Sequence, residues 1–175
     1  MLMLLVCLMV IPEALFQEEK PPNVTFISLT WSENAKPCDF TKLRVIGRES
    51  LVNGTFEILE DIEDEHYKFA CDYYSDLDRD GNFKLLPLVS LPPQGICTVV
   101  KEYGHYLADS IRYPINTDLF VNESACTIPK GVYFLKDAAF NVDRWFYSSG
   151  IMRFVGKFFK DGELIGSYNI TVSID

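Results

Sequence analysis

The stretch Asp76-Leu77-Asp78-Arg79-Asp80-Gly81 alternates carboxylates and puts glycine sixth, which is how a calcium-binding loop begins. The twelfth position should supply a bidentate glutamate but is Pro87, and the flanks read as strands where such a loop needs helices. We therefore read an acidic β-turn and expect no metal site. His66 and His105 are the two histidines of the chain, so a nucleophilic triad or zinc site would have to use one of them. Neither lies in a nucleophile elbow, a Cys-His signature or an HExxH pattern. The carboxylates between Glu57 and Glu65 read as a solvated acidic loop, and no glycine-rich phosphate loop is present. No residue is assigned a catalytic role, and no cofactor is expected.

The other reactive groups point to export. Met1 to Ile11 is almost wholly apolar and is followed by Pro12, Glu13 and Ala14. Such a run is too short to span a bilayer and reads as the core of a signal peptide, taken as 1–17, with residues 18–175 forming a single domain. No later segment reads as a transmembrane helix. Removing the leader removes Cys7 and leaves Cys38, Cys71, Cys97 and Cys126, which allow three pairings of two disulfides. Cys38–Cys71 and Cys97–Cys126, nearest neighbours in sequence, are the expected pairs. Each closes a loop of roughly 30 residues, worth about 3–4 kcal/mol in the chain-entropy view. Sequons at Asn23-Val24-Thr25, Asn53-Gly54-Thr55, Asn122-Glu123-Ser124 and Asn169-Ile170-Thr171 complete a consistent set for a secreted, extracellular glycoprotein.

The elements that must position these groups are mostly strands. Val24 to Trp31 reads as one, with Thr25, Ile27, Leu29 and Trp31 on one face. Lys42–Ile46 is a short β-prone run. From Asn53, Gly54, Phe56 and Ile58 alternate with Asn53, Thr55 and Glu57. Tyr67, Phe69, Cys71 and Tyr73 then alternate with Lys68, Ala70, Asp72 and Tyr74. Phe83 to Leu91 reads as a strand closed by Pro92-Pro93. Ile96, Val99, Val100, Tyr103, Leu107 and Ile111 recur at helical spacing, so a helix is expected to end before Pro114. Strand character resumes from Pro129 to Phe140. The C-terminus reads as a hairpin, Ile151–Lys160 and Glu163–Ile174, about a type I′ turn at Asp161-Gly162. Phe154 and Phe158 share its apolar face with Leu164, Tyr168, Ile170 and Val172, and Asn169 and Thr171 point to solvent. About eight strands with turns every ten residues or so predict a mainly β fold, an antiparallel β-sandwich or β-cup with one short helix at the rim.

Asn53-Gly54-Thr55-Phe56-Glu57, Asp80-Gly81-Asn82-Phe83-Lys84-Leu85-Leu86-Pro87, Ile96-Cys97, Tyr113-Pro114, Cys126 and Pro129-Lys130-Gly131-Val132-Tyr133-Phe134-Leu135-Lys136 occur in an order and spacing that resembles an insect family of small secreted proteins. That family is distantly similar to the ganglioside activator protein and the ML (MD-2-related) lipid-recognition superfamily, and some members are described as chemosensory. The resemblance spans Val24 to Ile174. It implies a β-cup whose sheets splay over an apolar cavity, a Cys97–Cys126 disulfide and no catalysis. It does not place Cys38 or Cys71.

A net charge of −9 excludes a phosphate-tracking nucleic-acid binder and attachment to anionic membranes. The remaining surplus is aromatic, 14% of the chain, on alternating strand positions. Those residues either fill a sandwich core or line a cavity. The expected function is a secreted binder of a lipid or other long-chain apolar molecule, a chemosensory carrier serving an extracellular receptor. Its candidate lining is Phe56, Ile58, Phe69, Tyr73, Phe83, Phe134, Phe154, Phe158, Tyr168 and Ile170, with Tyr103 and Tyr106 as candidate polar anchors. A closed-core interaction module or receptor co-factor is the alternative. A hydrolase using His66 or His105 is the third.

Overall fold

A computed structural model describes residues 23–47, 51–106, 110–120, 127–139 and 149–175. The expected leader, Asn122 and Cys126 lie outside these residues. The fold is mainly β. Strands of four residues or more are β1 (Val24–Trp31), β3 (Leu43–Ile46), β4 (Leu51–Ile58), β6 (Tyr67–Asp76), β8 (Leu91–Gly95), β10 (Gly131–Ala138), β11 (Gly150–Lys160) and β12 (Glu163–Ile174). Two-residue strands β2 (Cys38–Asp39), β5 (Ile62–Glu63), β7 (Lys84–Leu85) and β9 (Thr127–Ile128) complete the set among the described residues.

A six-stranded antiparallel sheet runs β1-β12-β11-β6-β7, with β8 also pairing β6. A four-stranded sheet places β4 between β10 on one side and β2 and β3 on the other, and β5 and β9 form a small ribbon. The long hairpin β11–β12 is the spine of the larger sheet. Its turn has positive φ at both Asp161 (49°) and Gly162 (87°), the type I′ geometry that the Asp-Gly pair predicts. In β4, Gly54 adopts φ 132°, and a Cβ there would run into the Lys42 carbonyl oxygen, so only glycine lets β3 and β4 approach this closely.

Four local expectations are corrected. In β1 a bulge between Phe26 and Ser28 switches the strand's faces. Val24 and Phe26 therefore join the core while Ile27 is 50% exposed. In the hairpin a register shift at Phe158/Phe159 brings Ile165 against the core and leaves Leu164 57% exposed. The expected strand from Phe83 to Leu91 is broken, pairing at Lys84–Leu85 and again only at Leu91, because the chain turns between them, Val89 N–H and Ser90 N–H both donating to the Leu86 carbonyl. Pro92 and Pro93 then lie within β8 instead of ending a strand. The register of β8 against β6 pairs Leu91, Gln94 and Gly95 and passes over both prolines, which have no N–H to donate.

The helix is also shorter than its periodicity suggests. Helix α1 spans Ile96–Tyr103, with Gly104 at its C-cap and a single 3-10 turn over Gly104–Tyr106. Glycine loses more backbone freedom in a helix than any other residue, which disfavours carrying α1 through Gly104; Leu107 lies outside the described residues. At the other end Asp64 accepts the Cys97 N–H at 2.6 Å and satisfies one of the open N-terminal donors. Among the described residues no helix is long and apolar enough to cross a membrane.

Candidate functional site: the space between the sheets

At one end the two sheets are drawn together. Cys38, Ile58, Ile62, Tyr67, Ile96 and Tyr168 form a buried cluster that takes residues from both sheets, the β5–β9 ribbon and α1. Tyr168 of the larger sheet reaches across to β2, where its hydroxyl accepts the Cys38 N–H at 3.1 Å and donates to the Cys38 carbonyl at 2.8 Å. Burial pushes that phenol up to about 12, so it remains a neutral two-way hydrogen-bonding group. A chain of ring contacts continues the closure. Phe40 meets Tyr168 at 5.0 Å and Phe56 at 5.9 Å, and Phe56 meets Tyr133 at 5.7 Å. Phe158 meets Tyr168 at 5.8 Å and Phe69 at 5.1 Å.

Further along the same inner face the construction changes. Met152, Phe154, Val172 and Ile174 form a second buried cluster, packed by Val24, Phe26, Cys71, Tyr73, Leu86 and Ile170. Every one of these belongs to a strand of the larger sheet or, for Leu86, to the turn after β7. Among the described residues no buried or partly buried apolar side chain of the four-stranded sheet belongs to this cluster. Met152 and Val172 are fully buried, yet Phe69, Cys71, Tyr73, Phe158 and Ile170, which share their face, keep partial exposure. Gly156 lies beneath Phe69, whose ring would stand 3.1 Å from an added Cβ, so the surface is shaped by a missing side chain as well as by large ones.

Eight of the ten predicted lining residues meet on this inner surface: Phe56, Ile58, Phe69, Tyr73, Phe154, Phe158, Tyr168 and Ile170. Two do not. Phe134 pairs with Thr55 and is 38% exposed, because the inner parity of β10 belongs to Tyr133, opposite Phe56. Val132, Tyr133, Phe134 and Leu135 are all apolar, so alternation alone could not choose the face. Phe83 lies on the outer face of the larger sheet, with the Arg153 guanidinium 3.6 Å from its ring centroid. Met152, Phe40 and Tyr133 were missed. The parity of Phe154 and Phe158 pointed to Met152, but nothing local marks Phe40, which follows a two-residue strand. Of the candidate polar anchors, Tyr103 is partly buried at the end of α1, and Tyr106 closes the 3-10 turn.

The acidic run, His66 and the described cysteines have defined surroundings. Asp76 is buried, and its two carboxylate oxygens accept the Asp80 N–H at 3.1 Å and the Gly81 N–H at 2.9 Å. Asp80 in turn accepts from the backbone N–H and side-chain amide of Asn82, and Arg79 pairs with Asp175. The acidic run therefore builds its own turn. His66 Nδ1 lies 2.9 Å from Asp161 on the exposed hairpin turn, and that hydrogen bond raises its pKa. Cys38 and Cys71 are free thiols, so the expected bond between them is not formed. Cys38 belongs to the closed end and Cys71 packs with the Met152 cluster on the other sheet. Burial pushes both thiols up to about 12, which keeps them protonated and poorly nucleophilic. Cys97 is held in a disulfide, whose partner lies outside the described residues.

The sequons separate by environment. Asn23 is exposed at the start of β1. Asn53 is spoken for: its Oδ1 accepts the Asp137 N–H at 3.0 Å, and its Nδ2 is buried without a hydrogen bond. Asn169 and Thr171 do point away from Tyr168 and Ile170, but into a groove of about 610 Å³ on the outer face of the larger sheet, where Thr171 is buried.

No known protein family and no curated protein matches this chain.

Proposed function

We propose that the protein is a secreted, non-enzymatic carrier that takes a lipid or other long-chain apolar molecule between its two sheets. One observation carries the reading: side chains that point inward, Phe69, Tyr73, Phe158 and Ile170, are only partly buried. In a filled sandwich such residues interdigitate at close-packed density and lose their exposure. Here one end is stapled shut by Tyr168 and Cys38, and the neighbouring inner surface is furnished from one sheet. That arrangement supports a cup over a closed sandwich. The sequence resemblance to the ganglioside activator and ML families points the same way, with an extracellular receptor as recipient.

Burying ten methylenes contributes roughly 8 kcal/mol before costs. Association and ordering remove at least about 4 kcal/mol, so chain length sets the affinity and polar contacts at the mouth set the selectivity. Native mass spectrometry of protein secreted from insect cells, with solvent extraction of what co-purifies, tests this. A stoichiometric lipid should be present, lost from Phe158→Asp and retained by Phe134→Asp, whose side chain faces outward. If Phe158→Asp does not fold, Ile170→Phe, which fills the space, should lower occupancy. Protein that is ligand-free and takes up neither palmitate nor a glycolipid overturns the carrier reading.

One observation favours the alternative, a module that works through its outer surface. Ile111, Tyr113, Ile115 and Phe120 are exposed, with the rings of Tyr113 and Phe120 at 5.0 Å. The segment is pinned beside β10, where Asp118 accepts the Phe134 N–H and the Asn116 carbonyl accepts the Lys136 N–H. A ligand-free protein that loses partner binding on Phe120→Ser would establish that reading.

A further inference from the structure

The outer face of the six-stranded sheet carries a site that the carrier reading does not use. Two cross-strand rows build its floor. Thr30 of β1, Asn169 of β12 and Val155 of β11 stand in register, and beside them stand Ser28, Thr171, Arg153 and Tyr74 of β6. Phe83, from the turn before β7, closes one side by stacking on Arg153. The result is a groove of about 610 Å³, within the range of about 300–1,000 Å³ usual for small-molecule sites. Its chemistry is hydroxyls, one amide, a guanidinium with five donors and an aromatic wall. Such a set suits a polyhydroxylated ligand, whose hydroxyls need both donors and acceptors and whose C–H faces need an apolar surface.

We propose that this groove seats the protein's own N-linked glycan, attached at Asn169. The inference rests on export of the chain but not on lipid binding. Asn169 is the acceptor residue of a sequon and also lines the groove. In the attachment step Nδ2 loses one proton and bonds the anomeric carbon of an oligosaccharide carried on a lipid diphosphate. The bond from that carbon to the diphosphate oxygen breaks, and the lipid diphosphate leaves. Nδ2 keeps one N–H, which is enough to preserve its 3.3 Å hydrogen bond to Thr30 Oγ1. With that bond kept, the first sugar leaves Nδ2 on the outer side of a central strand flanked by β1 and β11. Thr171, which the transferring enzyme must also read, is buried in the finished sheet. Attachment therefore precedes the pairing of β12, and the sheet closes with the glycan lying in its groove. Asn23, exposed just before β1, provides an internal reference.

The test is time-resolved release by peptide:N-glycosidase on the native secreted protein, followed site by site by peptide mass spectrometry. The Asn169 glycan should leave at least tenfold more slowly than the Asn23 glycan, and at the same rate after denaturation. Phe83→Ala should abolish the difference, and Arg153→Gln serves if Phe83→Ala does not fold. Equal native rates at the two sites overturn the proposal, as does an occupied Asn23 with a bare Asn169. Absence of sugar at both sites overturns it together with the expectation of export, whereas lipid loading has no bearing on either result.

Discussion

Two ends of one inner surface, both built on β6, β11 and β12, are made differently. At the Tyr168 end, residues of both sheets converge, rings touch in sequence, and a side-chain hydroxyl satisfies two backbone groups of the opposite sheet. At the Met152 end, the cluster comes from one sheet and its neighbours Tyr73 and Ile170 stay partly exposed. The difference separates two jobs that apolar residues do in a β-sandwich. Those that meet a partner across the gap hold the sheets together. Those that do not meet one among the described residues keep part of their surface exposed.

Truncation should show the contrast at its largest. Tyr168→Ala removes a buried ring and leaves the Cys38 N–H and carbonyl unpaired, and is expected to cost about 3–5 kcal/mol in urea unfolding. Tyr168→Phe isolates the polar part of that loss at about 1–3 kcal/mol. A cost near zero for Tyr168→Phe would mean that the sheets are not stapled there. Gly54→Ala, which forces a side chain into φ 132° against the Lys42 carbonyl, should cost about 1–3 kcal/mol without touching the inner surface. At the other end Tyr73→Ala should cost under about 2 kcal/mol in ligand-free protein, because its ring is only partly buried, yet weaken uptake of palmitate at least tenfold. Equal stability losses for Tyr73→Ala and Tyr168→Ala would erase the comparison.

The smallest effect lies outside both ends, on the hairpin turn. Asp161 raises the pKa of His66, so the folded state holds the proton more tightly than the unfolded chain. The contribution is fully present below about 6.5, the ordinary imidazole value, and is lost as pH rises through the higher folded value. The gap in urea midpoint between wild type and His66→Ala should therefore be open in mild acid and closed in mild alkali. The site is exposed, and the effect is correspondingly slight.

The legible parts of the fold were those in which local chemistry leaves one choice. Asp161-Gly162 admits a turn with positive φ at both residues, and the structure has it. In β6 the larger apolar residues Tyr67, Phe69, Cys71 and Tyr73 alternate with Lys68, Ala70, Asp72 and Tyr74, and that alternation names the inner face. Where both parities are apolar, as over Val132 to Leu135, the face is set by the register against β4, which is a long-range property. Bulges are worse for a sequence reader. One extra residue in β1, and another in β12, inverts every assignment beyond it, and neither leaves a compositional mark.

The same division runs through the sites. Residue types alone established a β-rich chain, and eight of the ten residues they chose as lining are inner, because hydrophobic alternation is a local signal. Which of those residues closes the sheets and which stays partly exposed could not be read there, since that depends on what stands opposite across the gap. The sequons make the point most sharply. Asn23, Asn53 and Asn169 are equivalent as triplets. Only the packed sheets expose the first, bury the amide nitrogen of the second, and place the third in a groove of hydroxyls. A side chain's chemistry is carried by its own atoms, but its access to solvent and partners is decided by strands distant in the chain.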